Sequence, residues 1–224
     1  MNFAAVVLAA GYSSRMSQWK PGLTFRNTPL IVRAIEPTAE VCGQIIIVGG
    51  YRFESLRSLV FDSTKIADSL KKKITFVENK EFTAGMFSSV QAGVRCIEPS
   101  IDAAYIVPGD MPMILAGTYA ALARSSQTAP EISVFIPAIV IDKKDEPGQR
   151  RQKKGHPILV RRNVFQPLLS EDKGSTLRNL LSGFPAKVCV VQDEGIGIDI
   201  DEEADLANLE STLQVKDTER STLS

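Results

Sequence analysis

Six short apolar runs constrain the fold of this chain more than any other feature of its sequence. They are rich in valine and isoleucine and span residues 3–9, 44–48, 74–77, 103–107, 132–136 and 187–191. A strand that is apolar along its whole length has both faces buried, as in a parallel sheet that helices cover on both sides. These runs therefore predict the strands of one mostly parallel sheet.

Segments with apolar residues at helical spacing separate most of these predicted strands. They lie near residues 28–40, 52–60, 85–97, 115–126 and 175–182. Alternation of strands and helices predicts an α/β fold, a Rossmann-like doubly wound sheet. Neither an internal repeat nor a low-complexity linker divides the chain, so we expect a single domain over 1–213 and a disordered tail at 214–224. The polar segment 142–154 is expected to be an exposed loop.

Charge and cysteine content exclude several classes of protein. The 26 basic residues balance the 26 acidic ones, so the chain as a whole has no electrostatic attraction to nucleic acid or to an anionic membrane. Cys42, Cys96 and Cys189 are far apart and form no C-x-x-C pair, which argues against a disulfide framework and a structural zinc site. No apolar run approaches the roughly 18 residues of a membrane span. We expect a cytoplasmic protein.

Common catalytic and nucleotide-binding motifs are absent. The sequence contains no G-x-x-x-x-G-K-[ST] phosphate loop, no G-x-G-x-x-G that opens a helix, and no G-x-S-x-G nucleophile elbow. His156 is the only histidine, so a metal site built from several histidines is excluded.

The stretch LAAGYSSRMSQWK at 8–20 is the first candidate ligand site. It leaves the first predicted strand at its carboxyl end, where open α/β sheets bind their ligands. Ala9, Ala10 and Gly11 lack bulk, so their backbone N–H groups can approach a phosphate closely. Arg15 and Lys20 add two cations that suit phosphate oxygens. On spacing alone, a solvated turn with two surface cations explains the stretch equally well.

Three carboxylates are candidates for binding a cation. Asp110 follows the predicted strand 103–107 at the same edge of the sheet, although an aspartate before a proline is also common in plain turns. Asp199 and Asp201 are two residues apart on an extended stretch, so their side chains point the same way. Asp201 is also suited to cap a helix that begins near Glu202.

Five stretches, in this order, resemble one family of enzymes. They are LAAGYSSRMSQWK (8–20), ENKEFTAGMFSSVQAGV (78–94), VPGDMP (107–112), GHPILV (155–160) and GIDIDEEADL (197–206). Together they resemble the nucleotidyltransferases similar to molybdenum cofactor cytidylyltransferase, which have the nucleotide-diphospho-sugar transferase fold. The resemblance extends from about residue 3 to 210. Pro21-Gly22 and Glu202-Glu203 depart from the family pattern, but neither pair removes a residue of the expected catalytic set.

The resemblance implies a Mg²⁺-dependent transfer of CMP from CTP to molybdopterin, with release of pyrophosphate. Ala10 resembles the cytidine-using branch of the family. Arg15 and Lys20 would hold the triphosphate beside the backbone of the segment from Leu8 to Gly11. Asp110 would be the first Mg²⁺ ligand and a catalytic residue, and Asp201 the second ligand.

Further positions of the family pattern imply where base, ribose and acceptor bind. Gly85 with Ser88 and Ser89 would lie on the nucleotide side, unless they only form a helix N-terminus with small residues. His156 and Arg178 would face the acceptor. A core or loop histidine and a surface arginine are the alternatives for these two residues.

Two other functions remain open at this point. One is a nucleotidyltransferase with another phosphorylated acceptor, such as a sugar or alditol phosphate. The other is a non-catalytic protein that carries molybdenum cofactor to a molybdenum hydroxylase, although a carrier would not need Lys20 and both aspartates. Release of pyrophosphate from a nucleotide separates the enzymes from the carrier.

Overall fold

The computed structural model describes residues 1–13, 16–142 and 149–211, so the tail predicted at 214–224 lies outside the described residues. The strands are β1 (Phe3–Ala9), β2 (Thr24–Phe25), β3 (Thr28–Pro29), β4 (Cys42–Gly49), β5 (Ile74–Glu78), β6 (Ala103–Pro108), β7 (Val134–Asp142), β8 (Arg150–Lys154), β9 (Ile158–Arg161) and β10 (Ala186–Val190). The helices are α1 (Leu30–Ile35), α2 (Phe53–Phe61), α3 (Asp68–Lys71), α4 (Met86–Val94), α5 (Ala116–Thr128), α6 (Phe165–Ser170) and α7 (Leu177–Leu181). A last helix, α8, covers 203–211. None of the helices within the described residues is long and apolar enough to cross a membrane.

The central sheet is mostly parallel, which confirms the predicted fold class. Its strand order is β10-β7-β9-β6-β1-β4-β5, and β8 pairs with β7 outside this path. The central strand β1 pairs in parallel with both β4 and β6. Strand β9 runs antiparallel between β6 and β7. The carboxyl ends of β1, β4 and β6 therefore lie at one edge of the sheet.

Helices cover both faces of the sheet, as the continuous apolar strands predict. On one face Ala5 and Val7 pack in a cluster with residues of α1, α2 and α5. On the other face Ala4 and Val6 pack with residues of α4, α6 and α7. All four side chains are fully buried, so alternate residues of β1 belong to two separate cores.

The structure corrects the prediction for 132–154. The strand expected at 132–136 begins at Val134 and continues to Asp142. The expectation of a plain loop over 142–154 was wrong for its last part, because Arg150–Lys154 forms β8 and pairs antiparallel with Ala138–Asp142. All five side chains of β8 are exposed, so this strand carries no apolar pattern to reveal it. Residues 143–148 lie outside the described residues.

A third, smaller apolar cluster joins distant segments at the carboxyl edge. Its buried members are Leu23, Phe25, Leu30, Ile200 and Leu209. They come from the end of the loop that follows β1, the β2–β3 hairpin, α1, the segment before α8 and α8 itself. This cluster, which we call the edge cluster, ties the C-terminal part of the described chain to the first loop.

Helix α8 begins within one residue of the start expected near Glu202. The helix begins at 203, and the carboxylate of Asp205 accepts hydrogen bonds from the backbone N–H groups of Asp201 and Glu202, at 2.9 and 2.7 Å. This is the arrangement in which a side chain of the first turn reaches back to the residues before the helix. Asp205 therefore binds the backbone just before the helix, while the side chain of Asp201 contacts Lys20.

Candidate active site

The carboxyl ends of β1 and β6 bring the first loop close to Asp110. The N–H of Gly109 donates a hydrogen bond to the carbonyl oxygen of Leu8, at 2.9 Å. A Cβ atom at position 109 would lie 2.7 Å from that same oxygen, so only glycine allows this approach. The turn after β6 thus lies directly against the end of β1, and Asp110 faces the loop.

Lys20, Asp110 and Asp201 form an ion triad at this edge. The Nζ atom of Lys20 lies 3.0 Å from Oδ2 of Asp110 and 2.9 Å from Oδ1 of Asp201. The two carboxylates are 90 and 181 positions from Lys20 in the sequence. Only the fold brings these three predicted site residues together.

A backbone hydrogen bond positions the third member of the triad. The N–H of Ile200 donates to the carbonyl oxygen of Asp110, at 3.0 Å. Because Ile200 is fully buried in the edge cluster, the next residue, Asp201, is held beside Asp110. Asp199, on the other side of Ile200, is exposed.

The surroundings of Lys20 keep its ammonium group charged. Burial lowers the pKa of Lys20, but hydrogen bonds and charges from Asp201 and Asp110 outweigh that effect, and the pKa is raised. The side chain is only 14% exposed, so the attraction is weakly screened by water. The three groups together thus hold two carboxylates and one ammonium.

The loop after β1 folds back on itself around a small cavity. Ser13 has a positive φ of 59°. Its hydroxyl accepts a hydrogen bond from the backbone N–H of Lys20, at 3.0 Å. The resulting cavity measures about 110 Å³ and is lined by Leu8, Ala9, Gly11, Ser13, Lys20, Pro21, Gly109 and Asp110. The predicted phosphate-binding stretch and the candidate metal ligand thus share one cavity, whereas Arg15 lies outside the described residues.

The carboxylates of the triad fit a divalent cation with a preference for oxygen ligands. Both already contact one positive charge at about the same distance. Mg²⁺ is commonly held by one or two carboxylates, with water and phosphate oxygens as its other ligands. No group of three or more histidine, cysteine, aspartate or glutamate side chains suited to a metal occurs among residues 1–13, 16–142 and 149–211. Asp110 and Asp201 would hold such a cation together with phosphate oxygens of a nucleotide.

The segment from Asn79 to Ser89 is held by an internal hydrogen-bond network. The Nδ2 atom of Asn79 donates to the hydroxyls of Ser88 and Ser89, at 2.9 and 3.0 Å, and its Oδ1 accepts from the N–H of Glu81. Both serines are buried. Their hydroxyls therefore hold the loop, and Gly85, with a φ of 108°, lies exposed at its turn into α4. Sequence reasoning did not select Asn79, although it stands in the stretch 78–94.

The two predicted acceptor residues occupy different surroundings. His156 lies between β8 and β9, where burial lowers its pKa and the Ile106 carbonyl and the charges of Asp110 and Asp199 partly offset that effect. Its Nδ1 atom is buried and has no hydrogen-bond partner within the described part of the chain. Arg178 is exposed on α7. Among the described residues, no side-chain contact joins Arg178 to the triad.

The segment before Asp199 contains a buried carboxylate that the sequence did not single out. Asp193 accepts hydrogen bonds from the N–H of Leu115, the hydroxyl of Thr118 and the N–H of Gly195, at 2.9, 2.6 and 3.0 Å. These contacts anchor the 3-10 turn Glu194–Gly197 to the N-terminus of α5. Asp193 is therefore structural and holds the segment that leads to Asp201.

Sequence comparisons with known proteins give a family match and a curated relative. A family model described as the MobA-like NTP transferase domain matches residues 5–188. The molybdenum cofactor cytidylyltransferase of Escherichia coli (strain K12) is 29% identical over 109 residues, which are 49% of this chain and 52% of that protein. The chain thus spans about half the length of this curated relative.

Solved structures share the fold at low sequence identity. CMP:2-keto-3-deoxy-manno-octonic acid synthetase, solved with CTP, has a TM-score of 0.74 at 16% identity, covering 96% of this chain and 100% of that one. Rv0371c from Mycobacterium tuberculosis H37Rv, solved with manganese, has a TM-score of 0.66 at 22% identity, covering 94% and 99%. At these identities the likeness shows the fold.

Proposed function

Because this chain belongs to the MobA-like NTP transferase domain family, we propose that it transfers CMP from CTP to a molybdopterin-type acceptor and releases pyrophosphate. The observation that carries the proposal is the convergence of Lys20, Asp110 and Asp201 at the mouth of the first loop. The similarity of half the chain to a cytidylyltransferase supports the choice of CTP and of the acceptor. We assign the activity to a single domain, residues 1–213.

The first loop would bind the triphosphate of CTP. The segment from Leu8 to Gly11 offers small side chains and backbone N–H groups beside the cavity. A Cβ atom built on Gly11 meets nothing within 4 Å, so the space in front of the loop is open to a ligand. Lys20 would contact the phosphate oxygens as a point charge, and Arg15 would add a planar pair of donors.

Asp110 and Asp201 would hold a divalent cation, for which we propose Mg²⁺. When bound, such an ion neutralises phosphate charge during transfer. Lys20 contacts both of these carboxylates, so its ammonium group is expected to turn toward the phosphates when nucleotide and cation bind together. Asp110 and Asp201 would then hold the cation, while Lys20 stabilises the pyrophosphate as it leaves.

The chemical step needs positioning and charge stabilisation more than proton transfer. An oxygen of the acceptor phosphate attacks the α-phosphorus of CTP and forms a new P–O bond. The bond from the α-phosphorus to the oxygen of the β-phosphate breaks, and pyrophosphate leaves with the electron pair. The acceptor phosphate is already ionised, so no general base is required. Groups that are fixed around the developing charge supply most of the acceleration in such reactions.

We assign the remaining predicted residues to the two substrates. Gly85, with Ser88 and Ser89 behind it, would shape the surface that meets the base and ribose. His156 would face the acceptor. Its buried Nδ1 atom lacks a partner within the described residues and is therefore available to a ligand, and the charge of Asp110 acts on the pKa of its ring, so the ring is near the site. Arg178 would bind the acceptor from α7.

The test is release of pyrophosphate with Mg²⁺ and each of the four common ribonucleoside triphosphates, with and without purified molybdenum cofactor. We expect turnover with CTP only when the cofactor is present. Asp110→Asn should lower the rate by roughly 10²–10³-fold, because it weakens cation binding at the reacting phosphate. Asp62→Asn, an exposed aspartate after α2, is the matched control and should retain full activity.

Three outcomes would contradict the proposal or part of it. Full activity of Asp110→Asn would show that Asp110 is not a ligand of a catalytic cation. Tight cofactor binding without turnover of any nucleotide would favour the carrier for a molybdenum hydroxylase. Turnover that requires a sugar or alditol phosphate instead of molybdenum cofactor would show that the proposed acceptor is wrong.

A further inference from the structure

The end of β8 packs tightly on the turn Glu194–Gly197. The N–H of His156 donates to the carbonyl oxygen of Ile196, at 2.9 Å. A Cβ atom on Gly155 would lie 1.9 Å from that oxygen, so this approach is possible only for glycine. We call this contact between 153–156 and 194–197 the β8 junction. The hydrogen bond of His156 and the close approach of Gly155 hold the backbones of the two segments together.

Lys153 lies across this junction. Its Nζ atom donates a hydrogen bond to the carbonyl oxygen of Gly197, at 3.2 Å. A Cβ atom on Gly197 would be 2.9 Å from both Cε and Nζ of Lys153, so the missing side chain at 197 leaves room for the lysine. Lys153 forms no ion pair within the described part of the chain, and an ammonium group has three N–H donors. One N–H of the ammonium group is thus bonded to Gly197, and its other N–H groups are available to a ligand.

The junction lies next to the ion triad. Gly197 is four residues before Asp201, and Ile200 between them is hydrogen-bonded to the backbone of Asp110. His156, three residues after Lys153, feels the charges of Asp110 and Asp199. Strand β7 runs in the same direction as β6, because β9 pairs antiparallel with both, so the second half of β7 lies toward the carboxyl edge. Strand β8 pairs with this half, and Lys153 lies opposite Ile139.

We propose that Lys153 binds the phosphate group of the acceptor, a phosphomonoester, and positions it for attack on the nucleotide. This inference rests on the proposed function. The reaction brings two polyanions together, and Lys20 is engaged by the two carboxylates and by the donor triphosphate. A separate cation on the β8 side lowers the repulsion and orients the incoming oxygen. His156 is mostly buried on this side, whereas the ammonium group of Lys153 is exposed and carries N–H donors toward solvent.

Alternation along β8 provides a matched control. Lys153 and Lys154 are both exposed lysines, but neighbouring residues of a strand point to opposite sides. Only Lys153 is bonded to the turn within the described residues. A site-specific role therefore predicts different effects for the two lysines, whereas general attraction by a basic surface predicts equal ones.

The experiment compares Lys153→Gln, Lys153→Arg and Lys154→Gln in steady-state pyrophosphate release with CTP and molybdenum cofactor. We expect Lys153→Gln to raise the KM of the acceptor roughly tenfold or more, as for the loss of one charged hydrogen bond, with the KM of CTP unchanged. Lys153→Arg should recover most of the affinity, and Lys154→Gln should match the unmodified protein. The inhibition constant of inorganic phosphate against the acceptor should rise in parallel in Lys153→Gln.

Equal effects of Lys153→Gln and Lys154→Gln would overturn the inference and favour a general basic surface, such as one that docks an acidic protein. An unchanged acceptor KM in Lys153→Gln would overturn it as well. If the unmodified protein releases no pyrophosphate with any nucleotide, the proposed function fails. In that case, calorimetric titration measures the affinity of each protein for inorganic phosphate, and we expect Lys153→Gln to bind it more weakly. Equal affinity in the unmodified protein and Lys153→Gln would overturn the inference.

Discussion

At the scale of single residues, the position of Lys20 between two carboxylates has a thermodynamic consequence. Its ammonium lies within 3.0 Å of one oxygen of Asp110 and of Asp201. A divalent cation held by the same two carboxylates, as we propose, would compete with Lys20, whereas a bound triphosphate would attract both cations. Binding of metal and nucleotide should therefore be mutually reinforcing, and each should raise the affinity for the other by the same factor.

Lys20→Met tests this competition. Without nucleotide, we expect Mn²⁺ to bind the variant several times more tightly, because the competing ammonium is gone. With CTP and acceptor, pyrophosphate release should fall by roughly 10²–10³-fold, because the charge on the leaving group is no longer stabilised. Calorimetric titration with Mn²⁺ and a pyrophosphate assay measure the two effects. Lys72→Met, at an exposed lysine, is the control, and weaker Mn²⁺ binding in Lys20→Met would contradict the competition.

At the scale of secondary-structure elements, the closeness of α4 to the sheet depends on one glycine. A Cβ atom on Gly93 would lie 2.3 Å from Cγ1 of Val6 and 2.9 Å from Cγ2 of Val48. Both valines are fully buried in the central strands β1 and β4. The helix therefore approaches the sheet more closely than an alanine would allow, and the loop that precedes it, with Gly85, is held at the edge of the site.

Gly93→Ala and Gly117→Ala form a matched pair for this packing argument. Both replace a helical glycine, which on helix propensity alone favours the folded state by up to about 1 kcal/mol. Nothing lies within 4 Å of a Cβ atom on Gly117, so Gly117→Ala should raise the free energy of unfolding slightly. Gly93→Ala should lower it by about 1–3 kcal/mol, because the core has no space for the methyl group. Urea denaturation measures both changes, and a gain in stability for Gly93→Ala would refute the close packing.

At the scale of the whole molecule, the edge cluster is what assembles the candidate site. Ile200 and Leu209 from the C-terminal part pack against Leu23 from the first loop and Phe25 from the β2–β3 hairpin. This small core determines whether Asp201 reaches Lys20, since the two large cores on the faces of the sheet contain neither Leu23 nor Ile200. All three clusters contribute to the stability of the fold, but we expect the completeness of the site to depend on the edge cluster.

Ile200→Ala and Ile66→Ala separate these two contributions. Both isoleucines are buried, with 0% and 3% of their surface exposed, but Ile66 belongs to a large core. Each substitution should lower the free energy of unfolding by about 2–5 kcal/mol. At a temperature where both variants are folded, Ile200→Ala should also lose most of its pyrophosphate release, because Asp201 is no longer held in place. Equal activity of the two variants would show that the edge cluster does not position Asp201.

Local patterns in the sequence were enough to predict the architecture. They did not predict two features, and each has a physical reason. The apolar runs predict the parallel strands, and β1 has the predicted bounds of 3–9. β8 was missed because its five polar residues are exposed and its pairing with β7 replaces the apolar signal. The hydrogen bonds of Asp205 were missed because several carboxylates stand close together at the start of α8, and only the backbone path decides which of them reaches an N–H group.

The sequence by itself determined the α/β class, the family and the motif residues, because periodicity and short motifs are properties of neighbouring positions. Only the tertiary structure decided that Lys20 lies between Asp110 and Asp201, that the hydroxyls of Ser88 and Ser89 turn inward to Asn79, and that Lys153 lies across Gly197. The physical reason is that these contacts join positions far apart along the chain. They form only when buried clusters and the register of the strands bring the segments to the same edge of the sheet.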